Sequence, residues 1–220
     1  MDTRKVKKIL VGMLVVGAFG AAVSGSTFAT FSAQTTNSAQ FQTGTLLLGN
    51  KVGSGSECFS TAVGVAINGN SATCDNLFNL SGVKPGDSGS VAVVVKNEGT
   101  INGSALTVYA SGSCVEAGAN VADSNGNLFN GSATDLCAQA QLSVDQDGTC
   151  IYGPAGCAND AAHTFSGFAT TYTSGSPYAA GALNTFASHT YTFHWAIPNA
   201  LGNAYQARQA SFSVVYRLVQ

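Results

Sequence analysis

The sequence predicts an all-β protein: an antiparallel β-sandwich with long disulfide-pinned loops and one or two short helices. Several segments alternate apolar and polar residues, which is typical of half-buried strands. Turns rich in Gly, Asn and Pro separate these segments, and no long helical period follows residue 29. The 220 residues are enough for one domain of ordinary size or two very small ones.

The first 29 residues have the three regions of a secretory signal peptide. A basic segment at 1–8 precedes an apolar run from Ile9 to Val23, and small residues lead up to Ala29. We expect cleavage between Ala29 and Thr30. A permanent membrane anchor is the alternative, but an apolar core of about fifteen residues interrupted by glycines is short for a span. The expected product is secreted, to the extracellular matrix or the cell surface. It meets signal peptidase during export and the membrane only through the uncleaved signal.

The chain after residue 29 is sparsely charged. It keeps five basic and ten acidic residues, a net charge of about −5. The absence of a basic patch disfavours nucleic acid as a partner. A surface made of Ser, Thr, Asn, Gln and Gly repels copies of itself only weakly, which permits self-association.

All six cysteines follow the expected signal peptide. An even number of cysteines in an exported chain predicts disulfides, and the C-x2-C spacing of a zinc site does not occur. Sequence leaves the connectivity open, and we favour pairing between neighbours because each bond would close a loop rich in Gly, Ser and Asn. The favoured pairs are Cys58 with Cys74, Cys114 with Cys137, and Cys150 with Cys157.

Residues 30–48 form an expected amino-terminal arm ahead of a sandwich domain at 49–220. The alternation between Ala29 and Leu48 has a period of two, so one face of an extended strand is apolar. This face must be buried, either on its own domain or on a neighbouring molecule, and both options remain open. The residues expected on it are Phe31, Ala33, Thr35, Ala39 and Phe41.

The rest of the chain alternates between predicted turns and strands. Lys84-Pro85-Gly86-Asp87 predicts a type II turn, because Pro fixes φ at the first central position and Gly supplies a positive φ at the second. Residues 49–57 are predicted to form a turn-like segment, and the middle from 111 to 164 is predicted to be rich in loops. A short helix is expected within 133–141. Strands are predicted at 61–67 (ended by Asn68-Gly69), 90–96, 105–110, 141–145, 188–197 and 210–219.

Three stretches resemble the TasA/camelysin family of secreted surface proteins, which includes archaeal pilus relatives. Residues 25–48, GSTFATFSAQTTNSAQFQTGTLLL, are similar to its signal end and Phe-x-x-Gly-Thr-Leu pattern. Residues 79–100, NLSGVKPGDSGSVAVVVKNEGT, resemble its Pro-Gly-Asp turn, strand and Asn-x-Gly turn. Residues 203–220, NAYQARQASFSVVYRLVQ, resemble its Asn-x-Tyr-Gln segment and last strand. The cysteine-bearing middle has no counterpart.

The resemblance implies a jelly-roll-like sandwich whose partners are copies of itself in a head-to-tail filament of a biofilm matrix. In such a filament the freed arm of one subunit enters the next as a donor strand. In this chain the arm's apolar face, with Phe31 and Phe41 at its ends, would fill the neighbour's core. A monomeric surface adhesion module, in which the arm is the first strand of its own sheet, is an alternative.

The resemblance to camelysin also implies a metalloprotease, which would require catalytic motifs in the sequence. It contains neither H-E-x-x-H nor G-x-S-x-G. Its histidines are His163, His189 and His194, and the last two are five apart on a predicted strand, so they point to opposite faces. We therefore assign no catalytic residue and expect a non-enzyme, with a camelysin-like secreted metalloprotease as the alternative.

Two short segments resemble the start of a calcium loop. One contains Asp123, Asn125 and Asn127, and the other contains Asp145 and Asp147. Neither continues to the Glu of an EF-hand. Turns are the favoured interpretation of both, so no cofactor or metal is predicted, with one bound calcium as the alternative.

Overall fold

A computed structural model describes residues 44–60, 74–78, 83–118, 121–122, 125–126, 128–129 and 131–220. All of these residues belong to one compact unit, residues 43–220. The expected signal peptide, the arm from 30 to 43, and the predicted strand at 61–67 with its Asn68-Gly69 turn lie outside the described residues.

The strands form two facing antiparallel sheets, which confirms the predicted β-sandwich. In lateral order, the larger sheet contains β2 (Glu57–Phe59), β1 (Leu48–Val52), β3 (Ser88–Asn97), β10 (Ser188–Ala196), β7 (Gln141–Gln146) and β8 (Thr149–Tyr152). The smaller sheet contains β11 (Arg208–Val219), β4 (Gly103–Gly118) and β9 (Tyr178–Leu183). A separate short pair is formed by β5 (Val121–Ala122) and β6 (Leu128–Phe129).

The strongly alternating segments lie where the sequence predicts them. The predictions at 90–96, 141–145, 188–197 and 210–219 are confirmed as β3, β7, β10 and β11. The predicted turn before β3 is also confirmed. Gly86 has a φ of 93°, and the N–H of Asp87 donates to the carbonyl of Lys84 at 3.0 Å.

Two predictions about irregular segments are wrong. Residues 49–52 are the body of β1, and the turn begins only at Gly53, where φ is 51°. Pairing with β2 on one side and β3 on the other satisfies the β1 backbone despite its Gly-Asn-Lys sequence. The middle of the chain is also more regular than predicted, because β4 extends to Gly118 and the β7–β8 hairpin follows.

Two short helices occur among the described residues. The first, α1 (Leu136–Gln139), lies within the predicted segment 133–141. The second, α2 (Phe165–Thr171), is not predicted by the sequence. Its first turn is capped by Thr164, whose hydroxyl accepts from the N–H of Gly167 at 3.1 Å. Phe168 is fully buried and holds the helix against the core, with its ring 6.3 Å from that of Phe193.

The core lies between the two sheets. On β3 and β10 alternate side chains point inward, and Val93, Val95, Tyr191 and Phe193 are almost completely buried. Leu106 and Val108 of β4 face them from the smaller sheet. The alternation therefore buries one face of each sheet.

Three disulfides pair the six cysteines between neighbours, as favoured from the sequence. They are Cys58–Cys74, Cys114–Cys137 and Cys150–Cys157, with Cα–Cα distances of 5.0, 5.9 and 5.1 Å. Disulfides persist in oxidising environments, so the protein belongs to an oxidising, extracellular type of compartment. None of the helices in the described part of the chain has the length and hydropathy needed to span a membrane.

Candidate functional site: an open strand edge beside a cavity

The last strand, β11, leaves one of its edges open within the described residues. It has 12 residues and pairs only with β4 there. The row of N–H and C=O groups on an open edge is a template for another strand. The side chains that β11 turns toward the core are partly buried, and they include Phe212, Val214, Tyr216 and Leu218.

A cavity of about 240 Å³ lies directly beside this edge, between β11 and the larger sheet. It exceeds the roughly 150 Å³ of a cavity that accepts benzene, so it has room for an aromatic ring. A third wall is the segment 74–77, which is held by the Cys58–Cys74 disulfide and by the Ser56 N–H donating to Asp75 at 3.0 Å. The lining residues are Asn50, Val52, Cys74, Asp75, Asn76, Leu77, Val93, Phe212, Ser213, Val214 and Tyr216.

Two of the lining residues each have a polar atom that is buried without a hydrogen-bond partner in the described structure. They are Oδ1 of Asn50 and the hydroxyl of Tyr216. Burial raises the pKa of Tyr216 well above its ordinary value, so the hydroxyl keeps its proton. A buried polar group left unpaired costs about 1–3 kcal/mol.

Asn50 and Tyr216 are on strands of the two facing sheets. Val52 lies opposite Val93, which in turn lies opposite Tyr191. The ring of Tyr191 is 5.3 Å from that of Tyr216, so the Tyr216 ring packs against β10 of the larger sheet. Asn50 is two residues before Val52 and therefore one inward-facing position closer to the β3–β4 turn.

The base of the arm is fixed at that same end of the sandwich. Thr45 and Thr100 exchange hydrogen bonds: the N–H of Thr45 donates to the Thr100 hydroxyl at 2.9 Å, and the N–H of Thr100 donates to the Thr45 carbonyl at 2.8 Å. The N–H of Glu98 donates to the carbonyl of Leu47 at 2.8 Å. Residues 44–48, which we predicted to be part of the arm, thus belong to the domain.

The predicted assembly residues lie outside the described part of the chain. This applies to the cleavage site, Ala29 and Thr30, and to the apolar face of the arm. The structure therefore describes only the groove on the domain. The predicted assembly residues that it does not describe are Phe31, Ala33, Thr35, Ala39 and Phe41.

The three histidines each contact an aspartate. Nδ1 of His163 lies 2.7 Å from Asp160, Nδ1 of His189 lies 2.6 Å from Asp147, and Nε2 of His194 lies 2.9 Å from Asp145. His189 and His194 therefore have different partners, as expected from their odd spacing on β10. Among the residues that the structure describes, no group of three or more His, Cys, Asp and Glu side chains is arranged to hold a metal ion.

The second calcium-loop candidate is the turn of the β7–β8 hairpin. Asp147 and Gly148 both have positive φ, 51° and 81°, which is the geometry of a two-residue type I′ turn. Oδ1 of Asp145 accepts from the N–H of Gly148 at 3.0 Å, and Oδ1 of Asp147 accepts from the N–H of Thr190 at 2.8 Å. Both carboxylates thus stabilise the turn. In the first candidate, Asp123 and Asn127 lie outside the described residues.

The carboxyl group of Asp147 has a pKa below its ordinary value. Partial burial acts to raise the pKa, but the Thr190 N–H and the His189 ring lower it by more. The ionised carboxylate therefore joins the hairpin to the start of β10.

The sequence predicts the arm, which lies outside the described residues, but does not predict the groove. Asn50 is in a segment predicted to be a turn, and its inward orientation follows only from the register of β1 against β3. Tyr216 lies within the last predicted strand, 210–219, but nothing in the sequence indicates a cavity beside it. In comparisons with known proteins, no family model and no curated protein matches the chain.

Proposed function

We propose that this protein is a secreted structural subunit that polymerises into extracellular filaments by donor-strand exchange. The amino-terminal arm of one subunit would pair with the open edge of β11 on the next subunit. One observation carries the proposal: a 12-residue strand has an unpaired edge, among the described residues, next to a cavity that has room for an aromatic side chain.

The energetics favour a groove over a loose surface contact. Ordering about eleven residues of a free arm costs roughly 10–20 kcal/mol of chain entropy. Burial of Phe31 and Phe41 contributes only about 3–6 kcal/mol. Backbone hydrogen bonds, worth about 1 kcal/mol each, must contribute most of the remainder, and an open strand edge is the part of a sandwich that offers them.

Strand direction favours exchange of the arm between subunits over pairing of the arm with β11 of its own molecule. The arm joins the domain beside Thr100, just ahead of β4, and β11 runs toward this same end because Val219 pairs with Ala105. An arm folded back along its own β11 would also run toward this end, so the two strands would be parallel. Every strand pair in the described sheets is antiparallel, and parallel pairing is slightly less stable. An arm from another copy can enter in the antiparallel direction.

This contact is head-to-tail, so it propagates into a filament unless the rotation between subunits closes a ring. The groove is on the domain and the arm precedes the domain in the sequence, so each subunit would carry one donor and one acceptor. The oxidising compartment indicated by the disulfides agrees with export, after removal of residues 1–29 by signal peptidase, to a biofilm matrix or a pilus-like fibre.

Deleting residues 30–39 from the exported protein tests the proposal. The groove remains but the donor is lost, so we expect soluble monomers by light scattering and no filaments by electron microscopy. Filaments that persist unchanged would contradict the exchange of the arm.

Two double substitutions that keep the arm at full length test whether assembly needs its large apolar side chains. Phe31→Ser with Phe41→Ser removes the large apolar side chains from one face, and we expect it to abolish filaments. Ser32→Ala with Gln40→Ala changes the opposite face of the predicted strand and should leave assembly intact.

A further inference from the structure

We infer that Phe186 is a contact residue between neighbouring subunits, and that its partner is a second copy of this chain. Phe186 lies in the turn between β9 and β10, at the end of the sandwich where the arm joins the domain. The inference rests on the proposed exchange of the arm and adds to it a contact between the two folded domains. Exchange by itself requires only the arm and the groove.

Phe186 has a backbone conformation that large side chains rarely adopt. Its φ is 62°, in the left-handed region. The N–H of Ala187 donates to the carbonyl of Asn184 at 3.0 Å, so Phe186 is the third residue of a tight turn. A positive φ at this position is typical of a type II turn, where Gly or Asn is favoured. A bulky residue there is a strained outlier, and strain of this kind is typical of functional positions.

The side chain at this strained position is held in solvent. Phe186 is 64% exposed and is the largest exposed apolar side chain among the described residues. Asn would suit the backbone better, and any polar side chain would suit the solvent better, so packing within the domain does not account for a phenylalanine here. Aromatic side chains are enriched at the centres of protein interfaces. The ring is therefore available to another molecule.

Hydrogen bonds connect this turn to the base of the arm. The N–H of Phe186 donates to the carbonyl of Asn97 at 2.8 Å, and the Asn97 amide donates to the carbonyl of Ile101 at 2.9 Å. Gly44, the first described residue of the chain, packs against the Ile101 side chain. Phe186 is therefore close to the point at which residues 30–43 join the domain.

The chain between the arm and the domain is too short to separate two subunits. Only residues 42 and 43 lie between Phe41, the last residue of the expected apolar face, and Gly44. Three peptide steps span at most about 11 Å, so a Phe41 seated in the groove of one subunit keeps Gly44 of the donor within that distance. The end of the donor domain that carries Phe186 must then abut the acceptor.

The direction of the donor decides which end of the acceptor receives this contact. Both β3 and β11 run toward the end where the arm joins, so their first residues, Ser88 and Arg208, lie at the other end. A donor antiparallel to β11 has its last residues beside Arg208. Phe186 of one subunit thus meets the opposite end of the next, and a contact between unlike ends repeats along a filament.

The test compares Phe186→Asn with Phe186→Tyr in the full exported chain. Asn suits the left-handed turn position but has no ring, whereas Tyr keeps the ring. We expect Phe186→Asn to raise the critical concentration for filament assembly, measured by sedimentation, about tenfold, because it truncates an aromatic contact residue. For Phe186→Tyr the critical concentration should stay within about twofold of the original.

Unfolding of the monomers by urea separates a contact between subunits from packing within one molecule. Asn relieves the strain of a positive φ, so the urea midpoint of Phe186→Asn should equal or exceed that of the original protein. A lower midpoint would mean that the ring packs on its own domain or its own arm, and this result would overturn the inference.

The inference and the proposed function can fail separately. If filaments form and Phe186→Asn has the same critical concentration as Phe186→Tyr, the contact is absent and the exchange of the arm stands. If the unchanged protein forms no filaments, or if filaments persist without residues 30–39, the proposed function fails and the contact fails with it.

Discussion

At the scale of single residues, the turn after β3 is the point that joins the arm to the domain. Asn97 is completely buried, and its amide donates to the carbonyls of Ile101 and Leu183 at 2.9 and 3.0 Å. Its Oδ1 accepts from the N–H of Gly99 at 3.0 Å. This satisfied polar network fixes the path of the turn, and the chain that continues from the arm packs directly over Gly99.

Gly99 is therefore expected to tolerate no side chain. A Cβ atom there would lie 2.3 Å from the carbonyl oxygen of Thr45 and 2.7 Å from the backbone nitrogen of Leu47. Because these are backbone atoms, Gly99→Ala must displace the base of the arm, and we expect it to lower the free energy of unfolding by about 2 kcal/mol. Urea unfolding monitored by circular dichroism measures this change.

Gly202→Ala is the matched control for this substitution. Gly202 has no atom within 4 Å of the position of a Cβ and has a φ of −90°. Its replacement should change the free energy of unfolding by less than about 0.5 kcal/mol. If the two substitutions lower the free energy of unfolding equally, the close approach of Thr45 and Leu47 is not what excludes a side chain at Gly99.

At the scale of elements, the β7–β8 hairpin is stabilised by an ionised aspartate. Asp147 occupies the first turn position with a φ of 51° and also accepts from the backbone of Thr190 on β10. Its pKa is lower in the folded protein than the value of about 4 expected when unfolded. The stabilisation is therefore complete above about pH 4 and is lost as the pH falls through the folded pKa.

Asp147→Asn should make the stability of the protein less sensitive to acid. Asn-Gly suits a type I′ turn as well as Asp-Gly does, so the backbone is unaffected. We expect the loss of unfolding free energy between pH 6 and pH 3, measured by urea titration, to be smaller in this variant. Glu57→Gln on β2 removes a carboxylate outside the hairpin and provides the comparison. Identical pH dependence in Asp147→Asn and the original protein would rule out this role.

The elements also show how far the sequence determines the fold. Strands such as β10, in which Tyr191, Phe193 and Trp195 alternate with polar residues, are predictable because one face of each is buried. In contrast, β9 has the sequence YAAGAL, whose small side chains provide no alternation. The helix α2 contains Gly and Thr, which are poor helix formers, and it depends on the tertiary burial of Phe168.

The candidate site, too, is only partly predictable from the sequence. The arm is a continuous stretch, so its alternation is visible in the sequence. The groove is assembled from β1, β3, β11 and the segment 74–77, which are far apart along the chain. The inward orientation of Asn50 depends on its register with Val95, and local sequence does not encode such long-range pairing.

At the scale of the whole molecule, the small number of charges limits the kinds of contact that subunits can make. The chain after residue 29 has five basic residues. Three of them already contact carboxylates of the same molecule: Lys84 with Asp87, Lys96 with Glu98 and Arg208 with Glu116. Contacts between subunits of the proposed filament would then come mainly from apolar burial and backbone hydrogen bonds, neither of which is screened by salt.

Assembly is therefore expected to depend weakly on ionic strength and to become slightly more favourable as salt is added. A subunit without residues 1–29 would carry a net charge of about −5, so like-charge repulsion is small and is screened further at high salt. We expect the critical concentration to fall by less than about threefold between about 0.05 M and about 0.5 M NaCl. Sedimentation across this range, with sucrose at matched osmolality as the control for excluded-solute effects, measures the change. A critical concentration that rises steeply with salt would indicate an interface built on ion pairs and would contradict a strand-exchange contact in the groove beside β11.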